Sequence, residues 1–514
     1  MNFILVFLAA LILNIANYLP ELYPLTWLGM LPLIFVIERL KNKAKAVDQT
    51  KNKQLKNLDR NQDLPAYQEL PAFKLGWAFG FFMTAFSSIF VYYSIEEFTG
   101  FNFWLIVFIL VMLYLLIGLI YGLWFKVYLK TAAAQFSALY FALSWLVLEF
   151  IRYKLLFFYP AGYLAVTQTE FSHFIQLADL GGFWILSFLL ALVGGLLYQL
   201  VFKREFKKII YLALIFLLIF GYGQLRLQQY SDLAPNYSLG LITTSISQDV
   251  KWDQSQREKN NQLMLAAAEK LNQNDLIIAP ETNITFDFGR GGSASERLLQ
   301  EIETRFETPL QFGTLATFND SANKYNSSFL ISPQGELQQR YNKNLLLYFG
   351  EKYPAEALIN KVLPYHFSSL ANGSEIVIFS LEDVSWKNAI CSEILYTDYL
   401  LQQTDKADFI VNQTNEAWFQ DSTLLKNLMF SSAVIRAVEN RKTVVKIGNL
   451  AIDAVITAAG SYELLPEAEI YQSRKINLSS QKTFYSRLYP ALELLLWALT
   501  ALFFINYFKK IRNY

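Results

Sequence analysis

Asn388-Ala389-Ile390-Cys391-Ser392-Glu393 is a strand-type run that stops abruptly at the only cysteine of the chain, with a carboxylate two residues further on. Two other runs end in the same manner. Leu276-Ile277-Ile278-Ala279 leads into Pro280-Glu281, and Phe409-Ile410-Val411 leads into Asn412-Gln413-Thr414-Asn415. Between Glu281 and Cys391 lie Tyr341-Asn342-Lys343 and Phe349-Gly350-Glu351. Packing alone gives no reason for polar residues at these positions. In layered α/β folds functional side chains collect at strand ends, where a rigid strand meets an open loop. From about Ser231 to Leu488, short β-rich runs alternate with amphipathic helical windows, the pattern of a water-facing α/β domain.

The flanking sequence is different in kind. The 514 residues are 54% hydrophobic and only 17% charged, against roughly a quarter charged in soluble domains. Stretches near 2–19, 24–40, 75–94, 103–129, 132–151, 174–202 and 208–222 are apolar, and an eighth follows at 491–507. Crossing a bilayer takes about 17–25 such residues. The first stretch lacks a basic leader and a small-residue cleavage site, so it is expected as a retained helix. Seven helices over residues 1–230, a folded domain over 231–488 and a last helix with a basic tail over 489–514 are therefore expected. A polar loop covers about 41–70.

Lysines and arginines set the orientation, because short cytoplasmic loops retain them. They cluster at 41–60, at Lys126 and Lys130, at 203–208 and at 509–512, whereas Glu96 and Glu97 follow the third stretch. With seven spans before the folded domain, all four basic clusters fall on one side and the domain on the other. The net charge of +1 offers no general reason to bind nucleic acid.

One cysteine excludes an internal disulfide framework. His173 and His366 are too few for a histidine-based triad or zinc site, and no metal or other cofactor is expected. A cysteine nucleophile still needs a base or cation beside its thiol and a donor for the oxyanion. Glu281 can take the thiol proton. Lys343 can lower the thiol pKa and face the oxyanion. Glu351 or Glu393 can hold the lysine.

The Glu, Lys, Cys order with these flanks resembles the nitrilase, or carbon–nitrogen hydrolase, superfamily. Together with the eight apolar stretches it resembles, more narrowly, the bacterial apolipoprotein N-acyltransferases. The matching pieces are Ala279-Pro280-Glu281-Thr282, Tyr325-Asn326-Ser327, Tyr341-Asn342-Lys343, Phe349-Gly350-Glu351, Cys391-Ser392-Glu393, Asn415-Glu416-Ala417-Trp418-Phe419 with Asp421-Ser422, and 436–441. In the apolar part they are Glu149-Phe150-Ile151-Arg152, Tyr159-Pro160, Gly162-Tyr163, Gln168 and Gln176. Departures include Asn344, Tyr348, Ser392, Gln420, Thr243-Thr244-Ser245 and Ile447-Gly448-Asn449.

The resemblance implies a multi-domain membrane protein with eight transmembrane helices and an extracytoplasmic nitrilase-like αββα sandwich. It implies Glu281 as general base, Lys343 as oxyanion and thiolate partner, Cys391 as nucleophile, and Glu351 and Glu393 as supporting residues. Trp418, Phe419, Tyr348, Glu149, Arg152 and Tyr163 are the expected substrate-binding residues. The partners implied are a bilayer, a phospholipid acyl donor and a diacylglyceryl-modified apolipoprotein acceptor, at the inner membrane with the catalytic domain periplasmic. A membrane-tethered amidase with the same triad, and a non-catalytic lipoprotein-binding protein, are the competing readings. The block 149–163 argues against the first, and an intact triad against the second.

Overall fold

The computed structural model describes residues 1–55, 69–133, 135–157, 159–231, 234–318, 323–348, 350–353, 356, 360–361, 368–420 and 422–512. Its N-terminal part is helical: α1 (Asn2–Tyr18), α2 (Tyr23–Leu55), α3 (Glu69–Ser88), α4 (Val91–Thr99), α5 (Phe103–Thr131), α6 (Ala138–Leu155), the single turn α7 (Ser172–Ile175), α8 (Ala178–Phe202) and α9 (Lys208–Ser231). Local chemistry sets several boundaries. Asn102 caps α5 through Leu105 N (3.1 Å), and Ser137 caps α6 through Tyr140 N (3.2 Å), so α6 begins later than the apolar stretch from Ala132.

Two expected spans are interrupted. The stretch 75–94 becomes α3 and α4, bent by 62°. The hydroxyls of Ser87 and Ser88 bond back to Thr84 O (3.2 and 2.7 Å) at the break, a pattern that bends helices. The stretch 174–202 breaks at Gly182 (φ +63°), where a side chain would collide with the Tyr485 ring. Glu439 Oε1 there accepts the Phe183 N–H (2.8 Å), so a carboxylate from a distant helix serves the start of the helical run after the break. The polar stretch from Lys41, expected as a loop, continues helical to Leu55, and residues 56–68 lie outside the described residues.

The second part consists of β1 (Tyr237–Ile242), α10 (Gln248–Trp252), α11 (Arg257–Glu269), β2 (Leu276–Ile278), α12 (Ser293–Arg305), β3 (Leu310–Thr317), β4 (Lys324–Ile331), β5 (Leu337–Asn342), β6 (Ile378–Leu381), β7 (Val384–Ile390), α13 (Thr397–Leu401), β8 (Phe409–Asn415), α14 (Thr423–Asn440), β9 (Thr443–Asn449), β10 (Ala454–Ile456), β11 (Tyr462–Leu464) and β12 (Tyr471–Ile476). A final helix, α15 (Phe484–Arg512), returns to the helical part.

The strands form two six-stranded sheets, ordered β12-β1-β2-β3-β4-β5 and β11-β10-β9-β8-β7-β6. β1, β2 and β3 are parallel, as are β7, β8 and β9, and the outer strands are antiparallel. Successive residues of β2 face opposite ways, as a strand requires. Leu276 and Ile278 join the core between the sheets, whereas Ile277 packs with Leu265 of α11 and Ile302 of α12. α14 packs on the other sheet, completing an αββα sandwich. A buried amide relay registers the two sheets: Gln311 Nε2 donates to Gln413 Oε1 (2.8 Å), and Gln413 Nε2 donates to Ala279 O (2.6 Å). The ends of β2 and β8 are thereby tied together.

Among the described residues five helices are long and apolar enough to cross a membrane, or six if the bent pair is one span. Large apolar side chains stand exposed along them, including Trp104, Phe108 and Leu116 on α5, Ile209, Leu214 and Leu217 on α9, and Leu494, Leu502 and Phe508 on α15. Such a surface is costly in water and suited to lipid. Basic residues gather at the end away from the sandwich. There Lys510 Nζ donates to Thr131 O (3.1 Å), and Lys203 pairs with Glu38 (3.0 Å). At the other end Gln420 of the sandwich donates to Glu96 (3.3 Å).

The two parts are locked by buried charge. Asp179 at the start of α8 accepts from Arg441 just after α14 (Nη2 2.8 Å, Nε 3.0 Å), from Arg226 (2.9 Å) and from Tyr222 (2.6 Å). Removing one partner of such a pair strands the other and costs about 3–5 kcal/mol. Asp179→Ala is expected to destabilise the detergent-solubilised protein by that order, read as a lowered unfolding midpoint. An unchanged midpoint would refute the lock.

Candidate active site

Glu281 lies just past β2, Lys343 directly after β5, and Cys391 directly after β7. All three are buried, with exposures of 5%, 1% and 8%, and all three line one cleft of about 970 Å³ together with Glu351. Cys391 has φ +50°, the left-handed region that a side chain favours little, at the sharp turn from β7 into the 3₁₀ turn Cys391–Leu395. The turn thrusts the sulfur off the strand tip. Thr282, just after Glu281, is also left-handed (φ +47°).

Asn326 on β4 bridges the acids: its Nδ2 donates to Glu281 Oε1 (2.6 Å) and Glu351 Oε1 (2.8 Å). Glu351 Oε2 in turn accepts Lys343 Nζ (2.7 Å) and Leu347 N (2.8 Å). Glu351, not Glu393, therefore holds the lysine. Glu393 ties two segments together, because it accepts the N–H groups of Asn344 (2.7 Å), Leu345 (3.0 Å) and Ile390 (2.8 Å) and the Tyr341 hydroxyl (2.7 Å). It fixes the Lys343 segment to the Cys391 turn.

Electrostatics divide the roles. Burial, then the charge of Glu281, pushes the Cys391 thiol up to about 12, with Lys343 pulling the other way. Lys343 is raised above its ordinary value: burial opposes its charge, but Glu351, Cys391 and Glu281 together outweigh it. Burial raises Glu281 above the ordinary carboxylate range against the pull of Lys343. The resting sulfur is thus a thiol beside a permanent ammonium and a carboxyl of raised pKa. Proton transfer to Glu281 can accompany nucleophilic attack, with Lys343 facing the new oxyanion.

Cys391 belongs to two cavities. Besides the polar cleft it lines an apolar one of about 810 Å³, whose wall includes Phe90, Val91 and Leu113 of the helical part and Leu347, Tyr348 and Phe419 of the sandwich. Phe419 stacks edge-on against Phe90 (5.6 Å between centroids). Trp418 lines the cleft and stands 6.2 Å from the Trp252 ring. Glu149, Arg152 and Tyr163, also expected to bind substrate, do not line either of these two cavities. Arg152 donates to Ala161 O (2.7 Å) and Gly162 O (3.1 Å), and lies over the Tyr163 ring (5.0 Å). Glu149 accepts Leu164 N (3.1 Å). They hold from behind the loop whose Tyr159 and Ala161 form the wall. Phe349, Asp421, His366 and most of 355–365 lie outside the described residues.

Sequence patterns did not single out Lys251 and Trp252. Lys251 is buried, donates to Glu281 O (3.2 Å), and is pushed down to about 7, chiefly by burial. With its amide oriented to satisfy its neighbours, Asn415 accepts both Lys251 Nζ (3.2 Å) and Trp418 Nε1 (3.1 Å). A short polar helix far from Glu281 carries no one-dimensional signal of such a contact.

Residues 66–196 match the family model for the apolipoprotein N-acyltransferase N-terminal domain, and residues 228–474 match the carbon–nitrogen hydrolase model. An apolipoprotein N-acyltransferase of Geobacter metallireducens is 29% identical over 68% of this chain and 70% of its own. That of Haemophilus influenzae is 28% identical over 84% of each. Both parts of the chain are thus similar to apolipoprotein N-acyltransferases. A solved nitrilase-superfamily amidase from Nesterenkonia AN1 aligns over 50% of this chain and 95% of its own, at 15% identity and a TM-score of 0.37.

As a base, Glu281 would accept a proton only when ionised, and its pKa is raised. Thioester formation is therefore expected to fall as pH drops through a value above the ~4.3 of an ordinary glutamate. Glu281→Gln is expected to lower the rate by about 10²–10⁴-fold. Acyl-enzyme formation followed against pH checks both, and an acid limb at or below the ordinary value contradicts the assignment.

Proposed function

We propose that this protein transfers an acyl chain from a phospholipid to the N-terminal amine of diacylglyceryl-modified apolipoproteins, through a thioester on Cys391. The observation that carries it is the position of the sulfur, shared between a cavity walled partly by apolar helices and a cleft holding Glu281 and Lys343. The apolar cavity suits a fatty chain; the cleft suits proton transfer.

In the first step Sγ attacks the sn-1 ester carbonyl while Glu281 takes its proton and Lys343 faces the oxyanion. The tetrahedral species collapses, the glycerol oxygen leaves with the proton from Glu281, and a lysophospholipid departs. In the second step the acceptor amine attacks the thioester, Glu281 takes a proton from nitrogen, and the sulfur leaves and regains one. The product is an amide. Splitting the transfer in two gives ping-pong kinetics, and apolar walls at the sulfur disfavour hydrolysis of the thioester. Glu351 positions Lys343, and Glu393 positions both segments. Tyr348, Phe419 and Trp418 contact the substrates.

The same reading assigns residues 1–230 and 489–514 to a membrane domain of eight spans in a bacterial inner membrane, and 231–488 to a periplasmic catalytic domain. It is supported by the basic residues gathered away from the sandwich. In a depletion strain, Cys391→Ala and Cys391→Ser are expected to insert in the membrane yet leave lipoproteins with a free N-terminal amine. Full N-acylation by the alanine variant would contradict the proposal.

A further inference from the structure

The apolar cavity beside Cys391 contains a feature that an acyl chain does not require. Among the residues of its wall, two carry buried polar atoms without a hydrogen-bond partner: Ser392 Oγ and Glu416 Oε2. Glu416 is 1% exposed and stands at the start of the 3₁₀ turn Glu416–Phe419, directly after β8. Its other oxygen, Oε1, accepts Lys446 Nζ (2.6 Å) and the Thr414 hydroxyl (3.4 Å). Thr414 Oγ1 is itself 3.6 Å from Cys391 Sγ. One small side chain thus separates the carboxylate from the sulfur. Glu281 lines the cleft but not the apolar cavity, and Glu416 lines the apolar cavity but not the cleft.

An unpartnered oxygen on a buried carboxylate is costly unless a ligand donor completes it. A ligand suited to this wall has N–H donors, positive charge and an apolar body. A phospholipid ester offers no N–H at its carbonyl, and a phosphate would be repelled. An N-terminal ammonium bearing lipid chains meets all three conditions. Resting on the acyl-transfer reading above, we propose that Glu416 binds the α-ammonium of the acceptor and takes the first of the two protons that its nitrogen must lose.

The step balances. The ammonium gives one proton to Glu416 and becomes a neutral amine, whose lone pair attacks the thioester carbon. The C–N bond forms, the second proton passes to Glu281, the C–S bond breaks, and the thiolate recovers that proton. Glu416 then releases its own proton to water. The charged groups facing Glu416 are Lys446, Lys426 and, across Lys446, Asp453. Burial raises the Glu416 carboxyl, with Lys446 opposing, which suits it to accept a proton from an amine.

Ping-pong kinetics allows the two half-reactions to be timed separately. Detergent-solubilised full-length enzyme is acylated with a phospholipid labelled in its sn-1 chain, then mixed with a synthetic peptide whose N-terminal cysteine carries a diacylglyceryl group. For Glu416→Gln, transfer at pH 7 is expected to fall at least tenfold more than acylation. The deficit is expected to shrink as pH rises through about 8, where a free α-amine deprotonates unaided. Glu416→Asp is expected to recover part of the transfer rate. Equal loss in both half-reactions, or transfer by Glu416→Gln with the wild-type rate and pH profile, overturns the proposal. Loss of acylation in both variants likewise assigns Glu416 to structural support of Lys446. Failure of the wild-type enzyme to form a thioester would sink the acyl-transfer reading itself.

Discussion

A single buried ammonium stands at the centre of the candidate site. Lys343 is almost wholly removed from water, and its charge survives because Glu351 lies 2.7 Å away and Glu281 is close enough to add to the attraction. An uncompensated charge at that depth would be lost to desolvation. Burial, and after it the carboxylates that keep Lys343 charged, keep the sulfur protonated, so the resting site holds a thiol rather than an exposed thiolate.

The scaffold converts that electrostatic arrangement into fixed geometry. Glu281, Lys343 and Cys391 come from strand ends in two different sheets, so their relation depends on how the sheets register. The Gln311–Gln413–Ala279 relay couples β2 to β8, and Glu393 couples the Lys343 segment to the Cys391 turn. These bonds are buried or half-buried, where an amide or carboxylate left unpaired would be penalised. Slipping either sheet by one residue would break several at once.

The sandwich also docks on the helical part through groups that are polar and buried, with Asp179, Arg441 and Glu439 at the centre. This docking builds the apolar cavity, since its wall is contributed by both parts. Phe90 from the α3–α4 break meets Phe419 from the sandwich. The bend that interrupts an otherwise continuous apolar helix therefore helps form the chamber beside the sulfur.

Much of this was already decided by the amino-acid order. Apolar runs ending at Glu281 and Cys391, with Lys343 between them, identify a carboxylate, an ammonium and a thiol at strand tips, because period-two burial and loop chemistry are local properties. The apolar stretches and basic clusters likewise mark a membrane part, since length and charge act residue by residue. Only the tertiary structure decided which glutamate holds the lysine, because Glu351 and Glu393 are equivalent by type and differ only in what surrounds them. It alone placed Glu149 and Arg152 behind the wall, and brought Lys251, Thr414 and Glu416 to the site. Those contacts join residues on separate elements, and no periodicity along a chain encodes a distance across a fold.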